Sequence, residues 1–256
     1  MKKLLLLLTI LLITTSLSAK SKGFRKYAHV KSFYKSITMQ TITIAKQNDL
    51  PAAAILAIAG LESGYGSGYV AQITGNILSL GAFKSDRELP PLYLPYSTSK
   101  KRILFDPKVI ISFPRSDLHY KLRAKSYKRD YRPLEYAGST KNLEYLKYNE
   151  ASRKAAHKAC LNDFATRWIT LDSNIKAFRD AKIYLNKQLE EHGEKILFSM
   201  NINKGFIEKI GGVPNSFNYR KTWPKKVELI MHKTALVELV DDIVNKNMSF
   251  DEAWGN

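Results

Sequence analysis

Apolar and polar positions mix at helical spacing from residue 32 to 48, the apolar ones being Phe33, Ile37, Met39, Ile42, Ile44 and Ala45. Asn48 and Asp49 break that pattern, and Pro51 suits the first position of a second helix. From Ala52 to Leu61 every residue is apolar or glycine. A helix that is apolar all round is expected to be buried all round. Gly64, Gly66 and Gly68 end it.

The pattern changes between residues 84 and 150. Pro90, Pro91 and Pro95 interrupt what reads as a polar loop. Val109 to Phe113 is short, apolar and β-branched, and Pro114-Arg115-Ser116-Asp117 reads as a turn. Tyr120, Leu122 and Ala124 then alternate with Lys121, Arg123 and Lys125, the period-two signature of a strand with one wet face. A β-hairpin is expected here. Helical spacing returns at 149–160, 173–191, 203–210 and 224–247, with Gly211-Gly212-Val213-Pro214 between the last two. No internal repeat is present. The expected fold class is mainly α (α+β): a helical domain over residues 20–256 with an inserted β-hairpin excursion at about 84–160.

One charged side chain, Glu62, lies between Leu50 and Phe83, although a quarter of the whole chain is charged. It stands in Leu61-Glu62-Ser63-Gly64-Tyr65-Gly66, where helix gives way to loop. A carboxyl in apolar surroundings, at the negative end of a helix dipole, holds its proton more readily than one in water. That is what a general acid requires. Glu62 is therefore the candidate catalytic residue, and a helix-end glutamate that caps a loop is the structural alternative.

Composition narrows the setting. Met1-Lys2-Lys3, an uncharged run from Leu4 to Ile13 and small residues up to Ala19 make an expected signal peptide at 1–19. A cleaved leader places the protein in the periplasm or cell envelope, and an uncleaved one would anchor it. Loss of Lys2 and Lys3 takes the formal charge from +18 to +16. Such a chain suits an anionic envelope surface. Export argues against nucleic acid; the basic, tyrosine-rich stretch 120–148 reads as a wall-binding face for anions, as a face of single-strand nucleic-acid type or as a plain solvated hairpin. Cys160 is the only cysteine, so no disulfide forms within the chain. The five histidines are scattered without ligand spacing, no phosphate-binding loop is present, and the sequence calls for no metal or cofactor.

Leu61-Glu62-Ser63-Gly64-Tyr65-Gly66, followed by Ala71 and Asn76-Ile77-Leu78, resembles the glucosaminidase domain of glycoside hydrolase family 73. Phe217-Asn-Tyr-Arg-Lys-Thr-Trp-Pro-Lys-Lys-Val227 is similar to the family's closing segment, and 164–178 to the segment between the two motifs. The resemblance covers most of residues 35–247, weakly at 84–160. It implies a lysozyme-like fold and β-N-acetylglucosaminidase action on peptidoglycan glycan strands, with Glu62 as proton donor. The family places a second carboxylate on the β excursion, where Asp117, Asp130, Glu135 and Glu144 are candidates. The substrate's own acetamido group is the alternative to all four. Tyr65, Tyr69, Phe217, Tyr219 and Trp223 offer aromatic faces for sugars, and Asn76 offers an amide for an acetamido group. Gly68, Ser79 and Gly81 stand where the family has serine, glycine and lysine. A lytic transglycosylase is the enzymatic alternative, and a wall-binding scaffold protein is the non-catalytic one.

Overall fold

The structure is a computed structural model. It describes residues 22–255 apart from 88, 90, 91, 123–130, 136 and 139–143. The expected signal peptide, Asp130 and the part of the expected strand after Leu122 lie outside the described residues. The fold is mainly helical, with a small three-stranded antiparallel sheet.

The chain divides into two compact units, one built from residues up to Ala57 and from Leu171 onward, the other from Ile58–Thr170. Helices α1 (Ala28–Gln47) and α2 (Ala52–Ser63) come first, and the division falls inside α2. The second unit continues with α3 (Tyr69–Thr74), β1 (Tyr93–Ser97), β2 (Arg102–Ile103), α4 (Pro107–Ser112) and β3 (Leu118–Leu122). It ends with α5 (Tyr145–Tyr148), α6 (Glu150–Asp163) and a π-helical turn at Phe164–Trp168. The first unit resumes with α7 (Lys176–His192), a 3-10 turn at Glu194–Phe198 and α8 (Met200–Ile210). It closes with α9 (Trp223–Lys233), α10 (Leu236–Asn245) and α11 (Phe250–Gly255).

In the first unit, α1 buries Phe33, Tyr34, Ile37, Ile44 and Ala45 along one stripe. Its buried Thr38 and Thr41 hydroxyls donate to the carbonyls of Tyr34 and Ile37, at 2.7 and 2.8 Å, so neither hydroxyl lacks a partner. Helix α2 is buried without a break from Ala52 to Gly60. Asn203 of α8 supplies the side-chain oxygen for the Ala54 N–H at 2.9 Å, one of the first-turn donors a helix cannot satisfy itself.

The 224–247 segment is two helices. Ala235 takes a left-handed φ of 50° between α9 and α10, with no glycine or proline to signal it. The broken helix exposes carbonyls, and Arg25 satisfies them. Its guanidinium donates to the carbonyl oxygens of Thr234 at 2.8 Å and Ala235 at 2.9 Å. It also donates to Ala253 and Trp254 of α11, each at 2.8 Å.

The sheet corrects the expected hairpin. Residues 109–112 are helical: the Asp106 side chain accepts the Lys108 N–H at 2.9 Å and Pro107 opens α4, a start signal that outweighs β-branching. Strand β3 instead pairs with β1, Tyr93 opposite Leu122 and Ser97 opposite Leu118, in the order β2-β1-β3. The central strand therefore lies in the stretch that reads as a proline-broken loop. Pro95 fits because its nitrogen faces the side where β2 ends. Its carbonyl still accepts the Leu104 N–H at 2.9 Å, and the missing donor stops the ladder at Ile103.

Candidate active site

Glu62 is the penultimate residue of α2 and is half-buried. Beyond it the chain turns back through a Schellman closure. The Tyr65 N–H donates to the Gly60 carbonyl at 2.9 Å, and the Gly64 N–H to that of Leu61 at 3.4 Å. Gly64, Tyr65 and Gly66 take φ values of 56°, 55° and 73°, three left-handed residues in succession. Glycine adopts this region freely. A tyrosine there is an outlier that costs on the order of 1–3 kcal/mol and is found mostly where surroundings enforce it, often at functional sites. Tyr65 is half-buried, and burial pushes its hydroxyl up to about 12, so the phenol is a neutral donor across the working pH range.

Ser63 holds this turn. Its buried hydroxyl donates to the Ala59 carbonyl at 2.5 Å and accepts the Gly66 N–H at 2.8 Å. Its own carbonyl accepts the Gly68 N–H at 2.8 Å. The sequence gives Ser63 no nucleophile pattern, and its position assigns it the task of fixing the loop after Glu62. A Cβ on Gly68 would approach that same carbonyl to 3.0 Å, which gives the glycine at this place a local cause. Ser79 takes a left-handed φ of 53°, the conformation a glycine would adopt at no cost.

Asn76 is buried and committed within the second unit. Its Nδ2 donates to the Leu80 carbonyl at 2.9 Å and its Oδ1 accepts the Leu80 N–H at 2.9 Å. The Cys160 thiol, fully buried, also reaches Oδ1 at 3.5 Å. Both ends of the amide are thus spent on closing the 76–80 loop, a clamp where the sequence suggests a sugar contact. Burial pushes the Cys160 thiol up to about 12, which suits an inert structural cysteine.

The described carboxylate candidates are engaged. Asp117 accepts from the Ser97 hydroxyl at 2.7 Å and from the Ser99 hydroxyl and N–H at 2.9 and 2.6 Å. The Ser97 bond, with those from Ser99, holds its carboxyl below the usual range. Glu135 is exposed and paired with Arg87. Glu144 is exposed and paired with Lys147 at 3.1 Å.

Of the first unit's aromatics, Tyr219 is 67% exposed with the Arg220 guanidinium 5.5 Å from its ring centre. Phe217 is half-buried and leans on Trp223 with ring centres 5.3 Å apart. Trp223 is only 3% exposed. A Cβ on Gly211 would fall 2.2 Å from its ring, so the indole fills a space that glycine leaves, and it belongs to the core instead of a ligand-facing surface.

The second unit also carries Tyr93, an aromatic with no signal in the sequence pattern. Tyr93 and Tyr120 stack across β1 and β3 with ring centres 5.2 Å apart, and the Tyr69 hydroxyl reaches the Tyr93 carbonyl at 3.5 Å. Recognising Tyr93 as part of a strand was the missing signal. A cavity of about 290 Å³ lies in the first unit, lined by Ile42, Leu50, Leu197, Phe198 and Val240 among others, none from the Glu62 segment. Among the described residues no cluster of His, Cys, Asp and Glu is placed to hold a metal ion. Among them, too, no helix is long and apolar enough to cross a membrane. No protein-family model, curated protein or solved structure matches the chain.

Proposed function

We propose that this chain is an exported, lysozyme-like peptidoglycan hydrolase acting on the glycan strand as an endo-β-N-acetylglucosaminidase. The observation that carries the reading is Glu62 itself: a half-buried carboxyl at the end of an otherwise apolar helix, followed by a turn that holds Tyr65 in a costly conformation. The resemblance of the flanking residues to glycoside hydrolase family 73 supplies the substrate class.

In this mechanism Glu62 gives its proton to the glycosidic oxygen as the bond to the anomeric carbon breaks. The cationic centre is met by an oxygen nucleophile, then water adds and returns a proton to Glu62. Asp117, Glu135 and Glu144 are each engaged in other contacts, so the nucleophile of this reading is the substrate's own acetamido oxygen or Asp130. Tyr65, three residues after the acid, would offer the sugar a ring and a neutral hydroxyl.

The test is incubation of wild type and Glu62→Gln with purified peptidoglycan, followed by reduction and mass spectrometry of the ends. Reducing N-acetylglucosamine ends from wild type alone are expected. Anhydro-muramic ends would make the protein a lytic transglycosylase. Binding to the polymer with no products would leave a wall-binding protein and overturn the proposal.

A further inference from the structure

We propose that α4 and the residue before its cap form a docking face for an anionic lipid surface. Two side chains carry the argument: Ile111 is 85% exposed and Phe105 is 53% exposed. Neither is a stray on a loose loop. Leu104 and Ile110, their chain neighbours, are buried and hold the segment down. The Phe105 carbonyl accepts the Tyr69 N–H at 3.1 Å, and the Asp106 cap fixes the start of α4. The fold thus anchors one side of this segment and leaves its other apolar residues in water.

Cations are frequent in the chain on either side of them. Lys108 lies one helical turn before Ile111, so the two share a face. The Lys100 ammonium sits 4.7 Å over the ring of Phe113, which follows α4. Between Ser97 and Leu122 the chain has Lys100, Lys101, Arg102, Lys108, Arg115 and Lys121 against two acids. Both acids are turned to internal work: Asp106 caps α4 and Asp117 is held by Ser97 and Ser99. Six cations against two acids leave the stretch with a net positive charge.

This combination selects a lipid surface over an acidic polymer. Basic side chains would serve either partner, but an exposed isoleucine gains only where hydrocarbon receives it. Lysines around an apolar point match anionic headgroups around acyl chains. Glu62 takes no part in this face, and its chemistry leaves lipid binding unchanged.

The experiment uses spin labels on the full chain. Cys160 is the only native cysteine and is buried, so a label reacts selectively at an introduced one. Ser112→Cys reports on the proposed face, and Asn186→Cys on exposed α7 is the internal control. With vesicles of phosphatidylcholine plus phosphatidylglycerol, the label at 112 is expected to gain oxygen contact and lose contact with an aqueous nickel complex. The label at 186 should stay aqueous. Comparing two sites in the same chain separates this face from any attachment through the N-terminal segment.

Phe105→Ser with Ile111→Ser should weaken the response at 112 about tenfold or more. Lys100→Glu with Lys108→Glu should weaken it too, as should added salt. The proposal is overturned if the label at 112 stays aqueous on anionic vesicles or responds equally to phosphatidylcholine alone. Immobilisation at 112 by purified cell wall without any response to vesicles would also overturn it.

Discussion

The Ser63 hydroxyl accepts the Gly66 N–H at 2.8 Å while donating to the last turn of its own helix. One buried oxygen therefore ties the end of α2 to the turn that contains Tyr65. Removing it leaves the loop amide of Gly66 without its partner and takes the hydroxyl donor from the Ala59 carbonyl. Ser63→Ala should cost about 1–2 kcal/mol of stability, within the range for a buried hydrogen-bonded hydroxyl. If Glu62 is the acid, the same variant should lower turnover without moving the pH profile, because the acid remains and only its surrounding turn loosens. Urea denaturation together with a pH–rate curve checks both parts. An unchanged denaturation midpoint would remove Ser63 from its assigned role.

Asn76 allows a sharper substitution test. Asn76→Ala removes both bonds to Leu80 and leaves two backbone groups unsatisfied in a buried loop, at an expected cost of about 2–4 kcal/mol. Asn76→Asp keeps an acceptor for the Leu80 N–H and the Cys160 thiol but sets a buried anion against the Leu80 carbonyl, which loses its donor. Its penalty should shrink as pH falls and the carboxyl regains a proton. A side chain serving only a bound sugar would show neither effect in the absence of ligand, so thermal melts of the free protein decide the matter.

Arg25 is expected to be worth more than its place near the start of the described chain suggests. It serves four carbonyl oxygens and lies with its guanidinium 5.1 Å from the centre of the Trp254 ring. Lysine keeps the charge but has neither the planar fork nor enough donors in that geometry. Arg25→Lys should destabilise the protein by about 2 kcal/mol and Arg25→Ala by about 3 kcal/mol or more, since each bond from a charged donor contributes roughly 1.5–3 kcal/mol and such terms overlap. Hydrogen exchange should show α10 and α11 opening first. Equal stability of the lysine variant would mean that charge alone matters.

These cases show why part of the molecule was legible in the sequence and part was not. The run from Ala52 to Leu61 followed by glycines states both a buried helix and its end, because hydrophobicity and turn chemistry agree there. Strand β1 was hidden by Pro95, whose missing N–H is harmless only because β2 stops beside it. The break at Ala235 has no local signal, since the donors that stabilise it come from a residue 210 positions earlier. Trp223 reads from the sequence either as a sugar-facing ring or as core, and the space above Gly211 decides for core. Local propensity was enough where a segment solves its own hydrogen bonding. It failed where a distant residue solves it.

His157 gives the protein a predicted sensitivity to mild acid. It is buried in α6, and its Nδ1 has no hydrogen-bond partner. Burial first, and the charge of Arg153 second, push its pKa down from 6.5 to about 4. The folded state therefore prefers the neutral ring, while the unfolded chain takes up a proton near 6.5. Between those values the unfolded state binds more protons, so stability rises with pH. The contribution is fully present above about pH 6.5 and is lost as pH falls toward about 4, amounting to on the order of 3 kcal/mol. Urea midpoints of wild type should fall across that window, and His157→Gln, which cannot titrate there, should flatten the slope whatever its own stability. An identical slope in the variant would assign the acid sensitivity to other groups and refute the role given to His157.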